Sequence, residues 1–452
     1  MKIYSFKIIF LVFTLSVSFN GFSQQLLQKS DAIALALEHN FGILVATNTI
    51  KISENNKDIL NSGYLPSLTT TAGANYQQAD NITGFKGAIN PNTGEPRPDV
   101  EILNAETQRY NAALNINYTL FDGLGRYYNY KRLKEQYNLT ELQARETIEN
   151  TILQLFTIYY EIARLTQNLD ILEQTLKISK ERLVRANYQF EYGQNNKLDV
   201  LNAEVDIATD SINMINTKQQ LKNTKRDLNV IFANKVQADF KVDTEVHFIP
   251  ELLLNQYIEN ANENNVTLLQ NNTNILISAY DVKVSKSGYL PVVGLNGSYG
   301  WNENRNPASA FFPGNVADSY NLAAGVSLTW NVFDGGGTVT RVRNSKIALE
   351  NQELAKNQIV VEVERDITNA LGSYKNSIEV FKIQQQNVIT NQNNFERSRE
   401  RFKLGQVTSI EFRQSQVNLI LAETNLNAAK FDAKLAELQL LQLTGQLLNI
   451  DF

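Results

Sequence analysis

The feature that most limits how this 452-residue chain can fold is that it is written twice. The pentapeptide Ser62-Gly63-Tyr64-Leu65-Pro66 returns 225 residues later as Ser287-Gly288-Tyr289-Leu290-Pro291, and Asn40 and Asn265 keep that offset inside LEHNFGIL and NENNVTLL. Phe121-Asp122-Gly123 and Phe333-Asp334-Gly335 lie 212 apart, as do Tyr192-Gly193-Gln194 and Leu404-Gly405-Gln406. The offset therefore changes by 13 in one place only, between the Pro and the Phe-Asp-Gly of each copy. A surface loop tolerates such a change and a packed element does not. The spacing predicts a tandem duplication of one supersecondary unit, with copies at 24–238 and 239–452.

Residues 1–23 precede the first copy and have the layout of a secretory signal. Lys2 and Lys7 flank the start of an apolar run from Ile8 to Phe19, and the small residues Gly21 and Ser23 stand at the −3 and −1 positions of a cleavage site. The alternative is an N-terminal anchor, for which the apolar run is too short to span a bilayer comfortably. No later stretch approaches eighteen consecutive apolar residues, so the expected mature chain is exported and has no spanning helix.

Composition removes several classes of chemistry. There is no cysteine, which excludes disulfides, thiolate metal sites, iron–sulfur clusters, a cysteine nucleophile and a lipid on an N-terminal cysteine. The only histidines, His39 and His247, are far apart, and no nucleophile, histidine and acid form a motif, so a periplasmic hydrolase is not supported and no enzyme activity is expected. His39 reads as a surface residue of a short helix. A formal charge of −5 is wrong for wrapping nucleic acid. Gly335-Gly336-Gly337 lacks the following Gly-Lys-Ser/Thr of a phosphate loop and reads as a turn, so no cofactor or metal is expected.

After each Pro the hydrophobic period switches to two. Tyr110, Ala112, Leu114, Ile116, Tyr118 and Leu120 share one face, against Asn111, Ala113, Asn115, Asn117 and Thr119. Residues 68–76 alternate in the same way. In the second copy Val293, Leu295, Tyr299 and Trp301 oppose Gly294, Asn296, Ser298 and Gly300, and Leu322, Val326, Leu328 and Trp330 oppose Asn321, Gly325, Ser327 and Thr329. Such strands suit half of a soluble sandwich or a membrane barrel with a wet lumen. Aromatics near the expected strand ends (Tyr76, Tyr110, Tyr118, Trp301, Tyr320, Trp330), export and the lack of a spanning helix favour the barrel. Polar loops are expected over about 78–108 and 303–318.

From Gly123 to Gly193 there is no proline and no internal glycine but Gly125. Ile148, Ile152, Leu155, Tyr159, Ile162, Leu165, Leu169, Leu172 and Leu176 recur at steps of three and four, a coiled-coil seam. The second copy repeats it with polar breaks at Glu364, Ser377 and Gln384. Helices of 65–70 residues, about 100 Å long, are expected there, too long for a compact globule. Return helices are expected at 197–232 and 409–443, with Gly193 and Gly405 at the hairpin tips and an irregular connector over 234–250. Pro66 and Pro291 are expected to end helices and turn the chain into strands, while Gly123 and Gly335 sit at the strand-to-helix junctions with Asp122 and Asp334 as caps. Glu181 with Arg185, and Glu396 and Glu400 with Arg397 and Arg401, read as exposed helix-face pairs.

The duplicated helix–SGYLP–strand–strand–FDG–long-helix units, with tips Tyr188-Gln189-Phe190-Glu191-Tyr192-Gly193 and Arg401-Phe402-Lys403-Leu404-Gly405, resemble the TolC-like outer-membrane efflux proteins. Leu198-Asp199-Val200-Leu201-Asn202-Ala203-Glu204 is similar to that family's G-x5-DVL-x-A-x hairpin continuation. The resemblance covers nearly the whole mature chain. It implies an α+β membrane protein in which three protomers, four strands each, form one twelve-stranded β-barrel continued by a long α-helical coiled-coil tunnel across the periplasm. It also implies a periplasmic adaptor and an inner-membrane pump as partners, with acids near the tips lining a constriction. By motif position these are Glu411 and Asp199. The sequence departs from the pattern at Gln414, where a second acid is frequent, and at Val407, where a basic residue is found. From the residues alone, four strands cannot close a bilayer barrel, so chains must combine; a dimer of eight strands stays open at that level, and only the resemblance selects the homotrimer. The resulting expectation is a passive outer-membrane exit duct of an efflux or secretion system. The alternative is a non-transport coiled-coil structural or adhesion protein of the envelope.

Overall fold

A computed structural model describes residues 25–236 and 239–450. The signal segment at 1–23 and the repeat boundary at 238 lie outside the described residues. A short strand β1 (Gln25–Leu27) leads into helices α1 (Lys29–His39) and α2 (Phe41–Lys57), then strands β2 (Ser67–Thr83) and β3 (Val100–Asp122). Next come the 67-residue helix α3 (Gly125–Glu191) and the 35-residue α4 (Lys197–Ile231). A three-residue β4 (Phe240–Val242) and helices α5 (Glu251–Glu259), α6 (Ala261–Asn264) and α7 (Val266–Ser287) precede β5 (Val292–Asn306) and β6 (Asn315–Thr329). The chain ends with α8 (Gly337–Lys403) and α9 (Ser409–Leu443), again 67 and 35 residues.

The chain divides into two compact units. One holds Lys51–Leu139 and Asn272–Ala355; the other holds the chain up to Ile50, Thr140–Asn271 and Lys356 onward. Each unit draws on both copies of the sequence.

In the first unit the strands form one antiparallel sheet of order β2-β3-β5-β6. Its register brings the apolar residues of all four strands onto one face. Thr70, Leu114, Tyr299 and Leu322 form one row, and Leu68, Ile116, Gly297 and Ala324 the next. The other face carries Thr69, Asn115, Ser298 and Ala323, then Ser67, Asn117, Asn296 and Gly325. Close packing fixes one of these choices: a Cβ on Gly297 would stand 2.9 Å from the Ile116 Cγ2.

The strands run well past the expected ends. Gln78 pairs with Glu106 and Thr83 with Val100, so the first loop shrinks from 78–108 to 84–99. Asn306 pairs with Asn315, which cuts the second loop to 307–314. The extensions are mostly polar, with Ile82, Val100, Ile102, Leu103 and Val316 scattered among charged and amide residues and a register shift between Ala79 and Asn81, so hydrophobic alternation did not reveal them. They also mean that the 13 extra residues of the first copy are shared between loop and strands.

At the strand–helix junctions Asp122 Oδ2 accepts from the Arg126 backbone N–H at 2.9 Å, and Arg126 donates in turn to Gly63 O and Thr119 O. Asp334 does the capping alone in the second copy, accepting from both the N–H and the Oγ1–H of Thr338 at 2.7 Å. Gly123 and Gly335 take φ of 69° and 68°, which a side chain resists. Pro66 and Pro291 immediately precede β2 and β5, but the helices stop earlier: α2 ends at Lys57 and α7 at Ser287. These prolines open strands and do not close helices, which corrects the expectation.

The second unit is built on the seam. Ile152, Leu155, Tyr159, Ile162 and Leu165 are buried, while the more polar second seam is open at Glu364. Phe156, Tyr160 and Phe431 stack at centroid spacings of 5.7 Å. Tyr159 donates to Leu27 O at 2.7 Å and accepts from the Asp243 N–H at 2.9 Å. It thereby staples a two-stranded parallel sheet of β1 and β4, which the connector reading missed because three residues carry no detectable period. The same connector is pinned by Glu437, which accepts from the Ile249 N–H, and by Lys434, which pairs with Glu437 and donates to His247 O.

Candidate functional site

Two features could act on a solute: the two-faced sheet and the helix-hairpin tips. From the Val293–Leu328 row to the Trp301–Tyr320 row the sheet offers about 26 Å of strand with one continuous apolar face. At the 35–45° tilt of membrane barrels this rises roughly 20 Å, close to the height of their apolar band. The next row holds Glu303 and Asp318, which ends the band on that side. Trp301 and Tyr320 mark this limit; at the other, Trp330 donates from Nε1 to Tyr289 O at 3.2 Å. Tyr76 and Tyr110 lie beyond the band, inside the longer strands. Among the described residues no single helix is long and apolar enough to cross a membrane.

Both tips close with the same hydrogen bonds. The Gly193 N–H donates to Phe190 O and the Gln194 N–H to Gln189 O; the Gly405 N–H donates to Phe402 O and the Gln406 N–H to Arg401 O. This is a Schellman arrangement, and it places Gly193 and Gly405 at φ of 71° and 74°.

Asp199 and Glu411 stand in the first turns of the return helices. The Asp199 N–H donates to the Asn196 side chain, which caps α4. Glu411 is exposed and forms a capping box. Its Oε2 accepts from the Thr408 N–H at 2.8 Å, while its own N–H donates to Thr408 Oγ1. The hydrogen bonds that its carboxylate accepts, from the Thr408 N–H and from the Thr408 Oγ1–H at 2.9 Å, with a smaller contribution from the Arg401 charge, hold its carboxyl below the usual carboxylate range. Arg413 points elsewhere, so the two residues do not pair. Gln414 donates to Asn418 along α9.

Sequence reasoning missed the charged cluster a few turns from the tips. Arg413 donates to both oxygens of Asp210, at 2.6 and 2.9 Å, and reaches Asp206. Ser179 donates to Asp210 Oδ2 at 2.6 Å, and Arg182 pairs with Asp206. Burial pushes the Arg182 guanidinium down from its ordinary value, against the pull of Asp206. The available signal was the i, i+4 spacing of Asp206 and Asp210, but their partner Arg413 lies 203 residues from Asp210. The helix-face pairs also differ from expectation. Arg185 leaves Glu181 and donates to Lys403 O, while Glu396 and Glu400 pair with Arg399 and Lys403. Register on long helices is set by packing between hairpins, which outweighs weak surface pairs. Among the described residues no group of His, Asp and Glu is placed to hold a metal ion.

Known proteins share this plan. TolC of Vibrio cholerae is 22% identical over 396 residues, 86% of this chain and 84% of that protein. The outer membrane efflux protein BepC of Brucella suis is 21% identical, covering 92% and 85%. Among solved structures, the outer-membrane channel OprN superposes with a TM-score of 0.72 at 16% identity over 92% of this chain and 90% of its own. The Campylobacter jejuni CmeC channel gives 0.72 at 15% over 93% and 86%. The outer membrane efflux protein family matches residues 32–234 and 257–446, nearly all of both copies. The chain belongs to the outer membrane efflux protein family.

Proposed function

We propose that three copies of this chain close one twelve-stranded barrel in the outer membrane and continue it as a helical tunnel through the periplasm. The complex is the passive exit duct of a tripartite system, reached through a periplasmic adaptor and energised by an inner-membrane pump. The observation that carries this reading is the sheet. Its apolar face suits lipid and its small polar face suits a wet lumen, but β2 and β6 end it with unpaired edges. Lipid does not tolerate open strand edges, so β6 of one protomer must meet β2 of the next. The strand directions allow this, because β2 and β6 run antiparallel in the four-stranded order. Likeness to the named channels supports three protomers over two.

Within the duct, the two sequence copies act as two quasi-equivalent wall segments per chain. Glu411 from each protomer lies near the periplasmic constriction and gives it a negative potential, with Asp199 beside the same tips. A rod with a structural or adhesive role has no use for a two-faced sheet. Light scattering of protein purified in neutral detergent tests the assembly. A protein mass of three chains is expected; two chains would replace the trimer by an eight-stranded barrel. A monodisperse monomer that needs no detergent would restore the rod.

A further inference from the structure

A cavity of about 780 Å³ lies between the tip-proximal part of α3 and the facing end of α8 and first turn of α9, a size typical of small-molecule sites. Its charge is lopsided. Lys177, Arg185, Arg399 and Lys403 line it, and Glu181 is the one acid among the described lining residues, in a chain whose formal net charge is −5. Arg399 and Lys403 pair along α8 with Glu396 and Glu400, which are not part of the lining.

The apolar wall is aromatic. Phe402 and Phe412 stack nearly parallel at 4.9 Å, and the Arg185 guanidinium lies 5.3 Å from the Phe402 ring centre. Two arginines there are left with unmet donors. Arg185 spends Nη2 on Lys403 O and leaves Nε buried without a partner. Arg182 also lines the cavity, is almost wholly buried, and leaves Nε and Nη1 without partners beyond its pair with Asp206. Buried guanidinium N–H groups are ordinarily satisfied, and an anionic oxygen is the acceptor that suits them best.

We propose that this cavity binds an amphipathic organic anion, an aromatic body carrying one carboxylate or sulfonate. The ring packs against Phe402 and Phe412 and the anionic oxygens face the arginines. Because its walls come from both hairpins, an occupant fastens the end of α8 to α3. The proposal does not depend on the duct, since binding is read on the purified protein whether or not it conducts.

Isothermal titration of the full-length protein in neutral detergent, with the micelle blank subtracted, tests it using 2-naphthoate, its uncharged isostere 2-naphthamide and sodium sulfate. Saturable binding of naphthoate at one per protomer is expected, with naphthamide at least tenfold weaker and sulfate a poor competitor. Arg185→Gln should abolish the binding. Lys177→Gln combined with Arg399→Gln, at positions outside the buried cluster, should weaken naphthoate severalfold and leave naphthamide unchanged. If Arg185→Gln fails to assemble, the double variant decides. Equal binding of acid and amide would show apolar partition, sulfate binding as tight as naphthoate would show a site for charge alone, and no saturable heat would show no site; each overturns the proposal.

Discussion

Asn40 and Asn265 do the same work 225 residues apart. Asn40 Oδ1 accepts from the N–H groups of Gly42 and Ile43 at the start of α2, while Nδ2 donates to Ile231 O at the end of α4. Asn265 Oδ1 accepts from the Leu268 N–H in α7, and Nδ2 donates to Leu443 O at the end of α9. One side chain thus caps a helix start and satisfies a carbonyl in the last turn of another helix. Asn265→Ala should lower stability by about 1–3 kcal/mol in thermal or denaturant unfolding, with Asn265→Asp between, since it keeps the acceptor and loses the donor. Asp210→Ala should cost about 2–4 kcal/mol, because it removes both charge-assisted hydrogen bonds from Arg413 in a mostly buried site and leaves it only the longer contact to Asp206. Glu411 adds a pH signature. Its folded carboxyl titrates below the ordinary range, so its capping contribution is complete above that range and is lost as pH falls through the lowered value. The stability of Glu411→Gln should accordingly converge on wild type in acid; a gap that persists unchanged would show that the charge plays no part. The asparagine pair was visible in the sequence as a match without a reason. The Asp210–Arg413 pair was not, because no local pattern joins partners on different hairpins.

At the scale of elements, the four long helices were legible almost to the residue. The seam, the two tip glycines and the missing prolines bound α3 and α8, and each element spans 67 residues. The strands were legible only where the two faces of the sheet differ in polarity; beyond the band, pairs such as Gln77 with Thr107 carry no contrast. The observed strand ends decide what can be removed. Asn81 to Thr83 are paired with Ile102 to Val100, so deletion of 81–91 should impair hairpin formation, whereas deletion of 86–95 should leave assembly and efflux largely intact. Native electrophoresis of the two deletions separates these outcomes. On the apolar face Leu322→Arg, one row from the middle of the band, should cost roughly 2–4 kcal/mol per chain and Leu328→Arg at its edge about 0–1 kcal/mol, while Thr329→Arg on the other face should be tolerated. At the tip, planar-bilayer recordings of Glu411→Gln should show reduced cation preference and weaker block by multivalent cations, with a smaller effect for Asp199→Asn. An unchanged selectivity together with lower stability would leave Glu411 as a helix cap only.

At the scale of the whole molecule, the proposed duct needs three sheets, none closed alone, to enclose one water-filled passage. The cysteine-free sequence allows a single measurement to test both the number and the facing. Ser298 lies mid-band on the polar face, in a row with Asn115 and Ala323, and Tyr299 faces the opposite way beside Leu114 and Leu322. Single-channel current through Ser298→Cys in a planar bilayer should fall in three equal steps when a charged, membrane-impermeant thiol reagent is added, one step per protomer, while Tyr299→Cys stays unaffected. Steps at Tyr299→Cys and none at Ser298→Cys, or two steps in place of three, would contradict the proposed duct.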